Sequence, residues 1–258
     1  RADSHRDGAQ HDLARRDDAR RAPALDMVLP ALATVALTRR YGSRKILDQV
    51  GFELAHGEIG LLTGDNGSGK TTLLKCLAGV LAPSEGAVRC YGCNIEADPR
   101  RRRLVGFVAH QGGVYHELTV IENLRLAARL YGCWPVERRI ASALDGAGLR
   151  DIAEVRTDRL SQGWRQRTAI ARALIHDPLI LLLDEPFSAL DEAGRSWLAN
   201  YLAGLRRRGR AVLLSAHADS LARALADREF MLRDGRMFER ELRSLQQPPL
   251  APARRAAA

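Results

Sequence analysis

Lysine is almost missing from this 258-residue chain: it stands only at positions 45, 70 and 75. Arginine supplies nearly all the other basic charge, and the formal balance is +9 with a pI near 10.0. A balance of that size admits nucleic acid, an anionic membrane or phosphate-bearing ligands as partners. The arginines are spread along the chain rather than gathered in a stripe. The charge is therefore read as an arginine-rich composition, and no nucleic acid is expected as a partner. No apolar run approaches the ~18–20 residues that a membrane-crossing helix needs. A secretory signal is also lacking, since the first 26 residues mix Arg with Asp and have no apolar centre. No initiator Met opens the chain, which leaves its true start open.

Cysteine is scarce, with four residues at 76, 90, 93 and 133. Cys90 and Cys93 have the spacing of half a zinc site or of a redox pair. No second pair follows, and zinc would want two more ligands. Ordinary strand and turn cysteines are the favoured reading, and a reducing cytoplasm is the default.

What is present is strongly patterned. Residues 1–30 are expected to be a disordered tail, and residues 243–258 a second tail. ATVALTRRYG alternates as a strand, and KILDQVGFELAHGEIGLLTG reads as two strands joined at HGE. TLLKCLAGVLAP has helical periodicity with a proline stop. EGAVRCYGCNIE is a strand and turn, and LVGFVAHQ a strand with a polar end. The run Arg100–Arg103 reads as a solvated turn, with contact to anionic lipid or a partner as the alternative.

From residue 113 to about 175 the pattern becomes helical. LTVIENLRLAARLYG places Thr119 three residues before Glu122, a capping box. VERRIASALDGAGL and QGWRQRTAIARALIHDP are two further helices. LILLLDEP and AVLLSAH are continuous apolar runs, as strands covered on both faces require. A helix, WLANYLAGLRRRG, lies between them, and EFMLRDGRM is a hairpin with an Asp-Gly turn. The order is that of an α/β fold with a helical insert.

Three stretches carry chemistry. Residues 64–71, GDNGSGKT, fit G-x-x-x-x-G-K-[ST] between a strand and a helix. The plain alternative is a glycine-rich β–α turn. In the phosphate-binding reading, Gly64, Asp65, Asn66, Gly67, Ser68 and Gly69 form an anion nest at a helix N-terminus. Lys70 reaches the β- and γ-phosphates, Thr71 holds Mg²⁺, and Thr72 adds a phosphate contact. That position 70 is Lys in an arginine-rich chain favours this reading, because a compact ammonium suits the cradle. Asp184 and Glu185 end a buried strand, where α/β sheets bind ligands. Asp184 is placed for Mg²⁺, and Glu185 to orient and polarise an attacking water. The alternative is a pair of acids opening a surface loop. His217 and Gln111 end two further strands at the same edge; either alone would mean little.

Together these residues resemble the nucleotide-binding subunit of ABC transporters, over about residues 32–240. Tyr41 stands where that family stacks adenine, and Gln111 where its Q-loop glutamine contacts the metal and the catalytic site. Ser161-Gln162-Gly163-Trp164 stands at the family signature, close to L-S-G-G-Q. Asp184-Glu185, the loop from Ser188 to Asp191, and His217 follow in order. The resemblance implies a P-loop NTPase with a RecA-like core, an antiparallel β-subdomain and a helical signature subdomain at about 113–175, within a domain spanning 31–242. It implies ATP and Mg²⁺, catalytic roles for Glu185, His217 and Gln111, and a nucleotide-dependent head-to-tail dimer of two copies or of one copy and a homologue. In that dimer Ser161 and Gly163 grip the γ-phosphate held by the partner, and Asp191 lies at the same interface. Gln162 and Trp164 depart from the pattern; Trp164 is expected to pack at the dimer interface or against a transmembrane partner.

With no membrane span, the resemblance further implies a separate permease and a peripheral position on the cytoplasmic face of the inner membrane. VAHQGGVYHELTVIENLRLAARLYG and LSQGWRQR resemble the ATP-binding subunit of the cytochrome c maturation haem exporter. Exporters of drugs, lipids or ions share much of this likeness. A soluble ABC ATPase acting on nucleic acid or the ribosome is the alternative from another class. It is disfavoured because no tandem unit, zinc module or coiled coil is present.

Overall fold

The structure, a computed structural model, describes residues 29–110, 113–217 and 219–242. Both expected tails lie essentially outside these residues, as does Gln111. The architecture is α/β. Ten strands form two sheets, one of four strands in the order β2-β1-β4-β5 and one of six in the order β10-β9-β3-β8-β7-β6.

The smaller sheet is antiparallel and consists of β1 (Leu32–Tyr41), β2 (Arg44–Leu54), β4 (Glu85–Cys90) and β5 (Cys93–Asn94). In the larger sheet β3 (Ile59–Thr63), β6 (Val105–Val108), β7 (Ile180–Leu183), β8 (Ala211–Ser215) and β9 (Arg228–Arg233) run parallel. β10 (Arg236–Glu241) returns antiparallel to β9. Their connecting turn, Asp234-Gly235, has φ of 50° and 74°. Two positive φ values match the twist of a tight hairpin, which is why Asp-Gly marked it in the sequence.

The apolar run before Asp184 is covered on both sides. Ile180 and Leu182 face a core that holds Leu54, Leu73, Leu77 and Phe230. Leu181 and Leu183 face another that holds Leu198, Leu202 and Leu214. Helix α1 (Lys70–Leu77) fills the first layer between the two sheets, and α5 (Glu192–Arg207) covers the second.

Helices α2 (Val120–Leu130), α3 (Val136–Ala147) and α4 (Gln162–Leu174) build a third apolar cluster around Leu124, Ile140, Leu144 and Ile175. The capping box at α2 is closed: Glu122 N donates to Thr119 Oγ1 at 3.2 Å and Thr119 N to Glu122 Oε2 at 2.8 Å. Two arginines join this unit to the sheet. Arg172 donates to the Gly113 carbonyl, and Arg103 to the Tyr131 carbonyl.

Residues 100–103 are largely solvated, as expected, but they are not a simple turn. The run is a 3₁₀ helix, Pro99–Leu104, whose N-terminus is capped by Asp98. Arg100, Arg102 and Arg103 are exposed, and Arg103 also donates to the Tyr131 carbonyl. One boundary differs from expectation, and one helix was not expected. α1 stops at Leu77, because Gly79 turns at φ 66° and Lys75 O accepts from both Val80 and Leu81. A short helix, α6 (Ser220–Leu225), capped by Asp219, had no sequence signal strong enough to mark it.

Cys90 and Cys93 are partners across β4 and β5. Burial pushes the Cys90 thiol up to about 12, so it is a packing residue rather than a nucleophile. Among the described residues no group of three or more His, Cys, Asp or Glu could hold a metal.

His176 lies where α4 meets β7, stacked 3.7 Å from the Tyr131 ring. Burial pushes its imidazole down to about 4 from an ordinary 6.5. The native state then binds fewer protons than the unfolded chain between those values. The stabilisation is complete above pH 6.5 and is lost as pH falls towards 4. At full effect it amounts to about 3 kcal/mol. His176→Phe keeps a stacking ring without a proton site. Urea unfolding across this pH range should show a shallower acid limb for that variant than for the parent, and parallel limbs would refute the assignment.

Candidate nucleotide-binding site

The phosphate loop emerges from β3, whose residues Ile59 to Leu62 are all buried. Three glycines hold its path: Gly64, Gly67 and Gly69 have φ of 144°, 79° and 107°. A Cβ at Gly64 would overlap the Leu232 carbonyl, so the position admits no side chain. Gly69 caps α1, and no acid occupies that helix's first turn. Its N–H groups and positive end are left for an anion.

Lys70 folds back over the loop. Its Nζ donates to the carbonyls of Gly64 at 2.7 Å and Asp65 at 3.1 Å, and the residue is buried. Ser68 Oγ is buried with no hydrogen-bond partner among the described residues. An orphaned hydroxyl beside a buried ammonium in a glycine cradle fits phosphate oxygens. Tyr41, Asn66, Thr71, Thr72 and Glu185 line the same cleft, of about 340 Å³. Tyr41 is half exposed, and the Arg39 guanidinium lies 4.8 Å over its ring.

A chain of hydrogen bonds ties this loop to the carboxyl ends of β7 and β8. Thr71 Oγ1 donates to Asp184 Oδ2 at 2.7 Å, and Ser215 Oγ to Asp184 Oδ1 at 2.6 Å. Glu185 N donates to the same Ser215 oxygen at 2.9 Å. Asp184 is 2% exposed. Carboxylate and hydroxyl oxygens are the donor set that Mg²⁺ takes, so Thr71 and Asp184 fit that ion. Glu185 has a left-handed backbone, φ 50°, fixed by this contact, and its Oε2 lies 3.5 Å from His110 Nδ1.

The remaining predicted residues are not gathered into this cleft. His217 is exposed and lines a neighbouring cleft with Gly64, Asp65 and Arg223. Ser161 caps α4, accepting from Trp164 N at 3.4 Å. Gly163 packs against the loop before α5; a Cβ there would lie 3.3 Å from Ala189 O. Asp191 Oδ1 caps α5 by accepting from Gly194 N at 2.8 Å. Trp164 stacks on the Arg167 guanidinium at 4.9 Å, which in turn lies 4.6 Å from the Trp197 ring.

Sequence reasoning missed Ser215 and His110. Ser215 had one signal, as the lone hydroxyl in an apolar strand. Leu183 and Leu214 are register partners in parallel strands, and that register sets Asp184 beside Ser215.

A family model described as ABC transporter matches residues 47–188. The ABC transporter ATP-binding protein NatA of Bacillus subtilis (strain 168) is 34% identical over 200 residues, 76% of this chain and 81% of that protein. The Nod factor export ATP-binding protein I of Paraburkholderia xenovorans (strain LB400) is 36% identical over 77% of this chain and 66% of its own length. A solved ATP-binding subunit of an ABC transporter superposes with TM-score 0.76 at 30% identity, covering 82% of this chain and 90% of that one. A dimeric ATP-binding cassette in a post-hydrolysis state, bound to ADP and Pi, superposes with TM-score 0.75 at 28% identity, covering 83% and 99%. The fold is therefore that of a P-loop NTPase, and the chain belongs to the ABC transporter family as an ABC-type ATPase, an ATP hydrolase of the class coupled to transport.

Proposed function

We propose that this chain is the ATP-hydrolysing subunit of an exporter whose membrane-crossing part is a separate permease. The observation that carries the reading is the hydrogen-bonded path from Thr71, which follows the buried Lys70 at the start of α1, through Asp184 and Ser215 to Glu185. It supports a reading in which the phosphate cradle, a carboxylate for the metal and a candidate base work together.

ATP stacks its base on Tyr41 and lays its phosphates in the loop 64–69, with Lys70 turning from the two loop carbonyls to the β- and γ-phosphates. Thr72 adds a phosphate contact. Thr71 and Asp184 would hold Mg²⁺. When bound, that ion neutralises phosphate charge as it develops. Glu185 orients and polarises the attacking water, and Gln111 and His217 act beside the γ-phosphate. Ser161 and Gly163 lie outside this cleft, which supports a role on the nucleotide of a second copy or a homologue. That assembly is a nucleotide-dependent dimer with two composite sites.

No helix among the described residues is long and apolar enough to cross a membrane. An apolar cleft of about 410 Å³ between β6, α2 and α4 is flanked by Leu130, 70% exposed, with Trp134, 72% exposed, just beyond α2. Exposed apolar surface of this kind supports a permease docking there, on the cytoplasmic face of the inner membrane. For the substrate we propose haem, in cytochrome c maturation. This rests on the likeness of residues 108–132 and 160–167 to that exporter's ATP-binding subunit. The relatives described above are named instead for Nod factor export and as NatA, so export of another substrate is the competing reading.

The test is a pull-down of tagged Glu185→Gln chain, trapped with ATP in the membranes of its host. Permease proteins of the cytochrome-maturation type are expected. A different permease would keep the motor and replace the cargo. Ribosomes or nucleic acid without a membrane protein would overturn the transporter reading.

A further inference from the structure

A second cavity, of about 310 Å³, opens between α3, α4 and α5 at the other end of the larger sheet. Asp177 and Pro178 on its wall precede β7, and Arg210 precedes β8. The phosphate loop follows the carboxyl end of β3, so the two clefts lie at opposite strand ends.

The lining mixes polar and apolar side chains: Ser142 and Asp177 stand beside Ile170 and Leu174 of α4 and Trp197 and Leu205 of α5. Trp197 Nε1 already donates to Gly146 O at 3.2 Å, so its ring offers a flat surface and no free donor. Tyr201 stands beside it, ring centroids 5.6 Å apart. The Tyr201 hydroxyl makes no hydrogen bond among the described residues.

The rim is cationic. Arg139, Arg208 and Arg210 stand on it, and Arg139 and Arg210 share one carboxylate, Asp177. Arg210 is fully engaged, pairing with Asp177 at 2.8 Å and donating to Pro178 O at 3.1 Å. Arg139 reaches the same carboxylate only at 3.9 Å, and the Arg208 side chain, which lies within electrostatic reach of Tyr201, makes no ion pair among the described residues. Two guanidinium groups are therefore left with little or no counter-charge over an aromatic chamber that also holds an unpartnered phenol. Rings and aliphatic side chains beside convergent polar groups suit a small molecule that is itself part apolar and part charged. A guanidinium plane matches a planar acid and stacks on its ring.

We propose that this cavity binds a small aromatic acid. Its rings lie against Trp197 and Leu174, and its acidic group meets Arg139, Arg208 and the Tyr201 hydroxyl. The volume stands at the low end of ligand pockets, ~300–1,000 Å³, which suits one or two rings rather than a nucleotide or phospholipid. A ligand here touches α3 and α4 on one side and α5 on the other. Its occupancy ties the helical unit to the sheet's covering helix, and so regulates any motion between them without competing for the phosphate loop. The inference does not depend on the transport reading.

The test uses 8-anilinonaphthalene-1-sulfonate, a fluorescent aromatic sulfonate, with the full chain. One saturable site is expected, undisturbed by excess ATP and Mg²⁺. Replacing both exposed arginines (Arg139→Ala, Arg208→Ala) should raise Kd at least tenfold while circular dichroism stays unchanged. Ala143→Trp, which fills the chamber, should abolish the signal while ATP binding is kept. Leu130→Glu, in the other apolar cleft, should leave it intact. Non-saturable binding, an unchanged Kd in the arginine variant, or loss of the signal in Leu130→Glu instead would each overturn the proposal.

Discussion

Glu185→Gln is expected to lower ATP turnover by at least ~10²-fold, the usual contribution of a positioned general base, with ATP affinity close to that of the parent. Glutamine keeps the shape of the side chain and loses the carboxylate that takes the water's proton. The backbone should not move, because the left-handed turn at 185 is fixed by its N–H on Ser215 Oγ rather than by the carboxylate. The cradle should survive too, since Lys70 and Thr71 make no bond to Glu185. Binding therefore continues after hydrolysis has stopped, and an ATP-bound dimer accumulates. Steady-state phosphate release and gel filtration with ATP read the two halves of this expectation. A variant hydrolysing at the parental rate would remove Glu185 from the role of base. A slow variant that stays monomeric would keep that role and count against closure driven by bound ATP.

The phosphate loop and Asp184-Glu185 were legible because their chemistry is local. A strand, a glycine turn and a lysine opening a helix are consecutive in sequence, and the structure keeps them so. The doubly covered strands were legible for a similar reason: Ile180 to Leu183 alternate between two cores, which leaves no polar face to write. Contacts across strands were not legible. Ser215 reaches Asp184 only through the parallel register of β7 and β8, and His110 reaches Glu185 across strand ends 75 positions apart in sequence numbering. Trp164 was expected at a dimer or permease interface. It sits partly exposed on Arg167, which is shared with Trp197 of α5, a stack that no spacing announces. Asp191 shows the same limit from another side, for its carboxylate has a structural duty as the cap of α5, alongside the interface role the resemblance implies. The subfamily likeness was read from loop and helix letters. Those letters set the family well and the cargo less well, because in the proposed transporter the cargo would be chosen by a separate permease.

Ser161→Tyr is expected to abolish ATP hydrolysis, by ~10²-fold or more, on the scale of losing one preorganised transition-state donor, while each chain still binds ATP in its own phosphate loop. Ser161 is exposed at the start of α4, and its hydroxyl accepts only the long 3.4 Å bond from Trp164 N. That weak cap can be given up at small cost, so the fold should persist. The tyrosine ring would instead occupy the surface where a partner's γ-phosphate is proposed to sit. A head-to-tail dimer makes a sharper demand. Lys70→Ala is inactive for a different reason, having lost its cradle but kept its signature turn. In a mixed dimer, the intact loop of the Ser161→Tyr chain faces the intact Ser161-Gly163 of the Lys70→Ala chain. One of the two sites is then whole and the other doubly broken. Mixing two inactive proteins should restore measurable turnover, rising with the fraction of mixed dimer. Additive inactivity at every ratio, with dimers shown to form, would mean that Ser161 acts within its own chain or not at all. Restored activity would assign the signature turn to the partner's nucleotide.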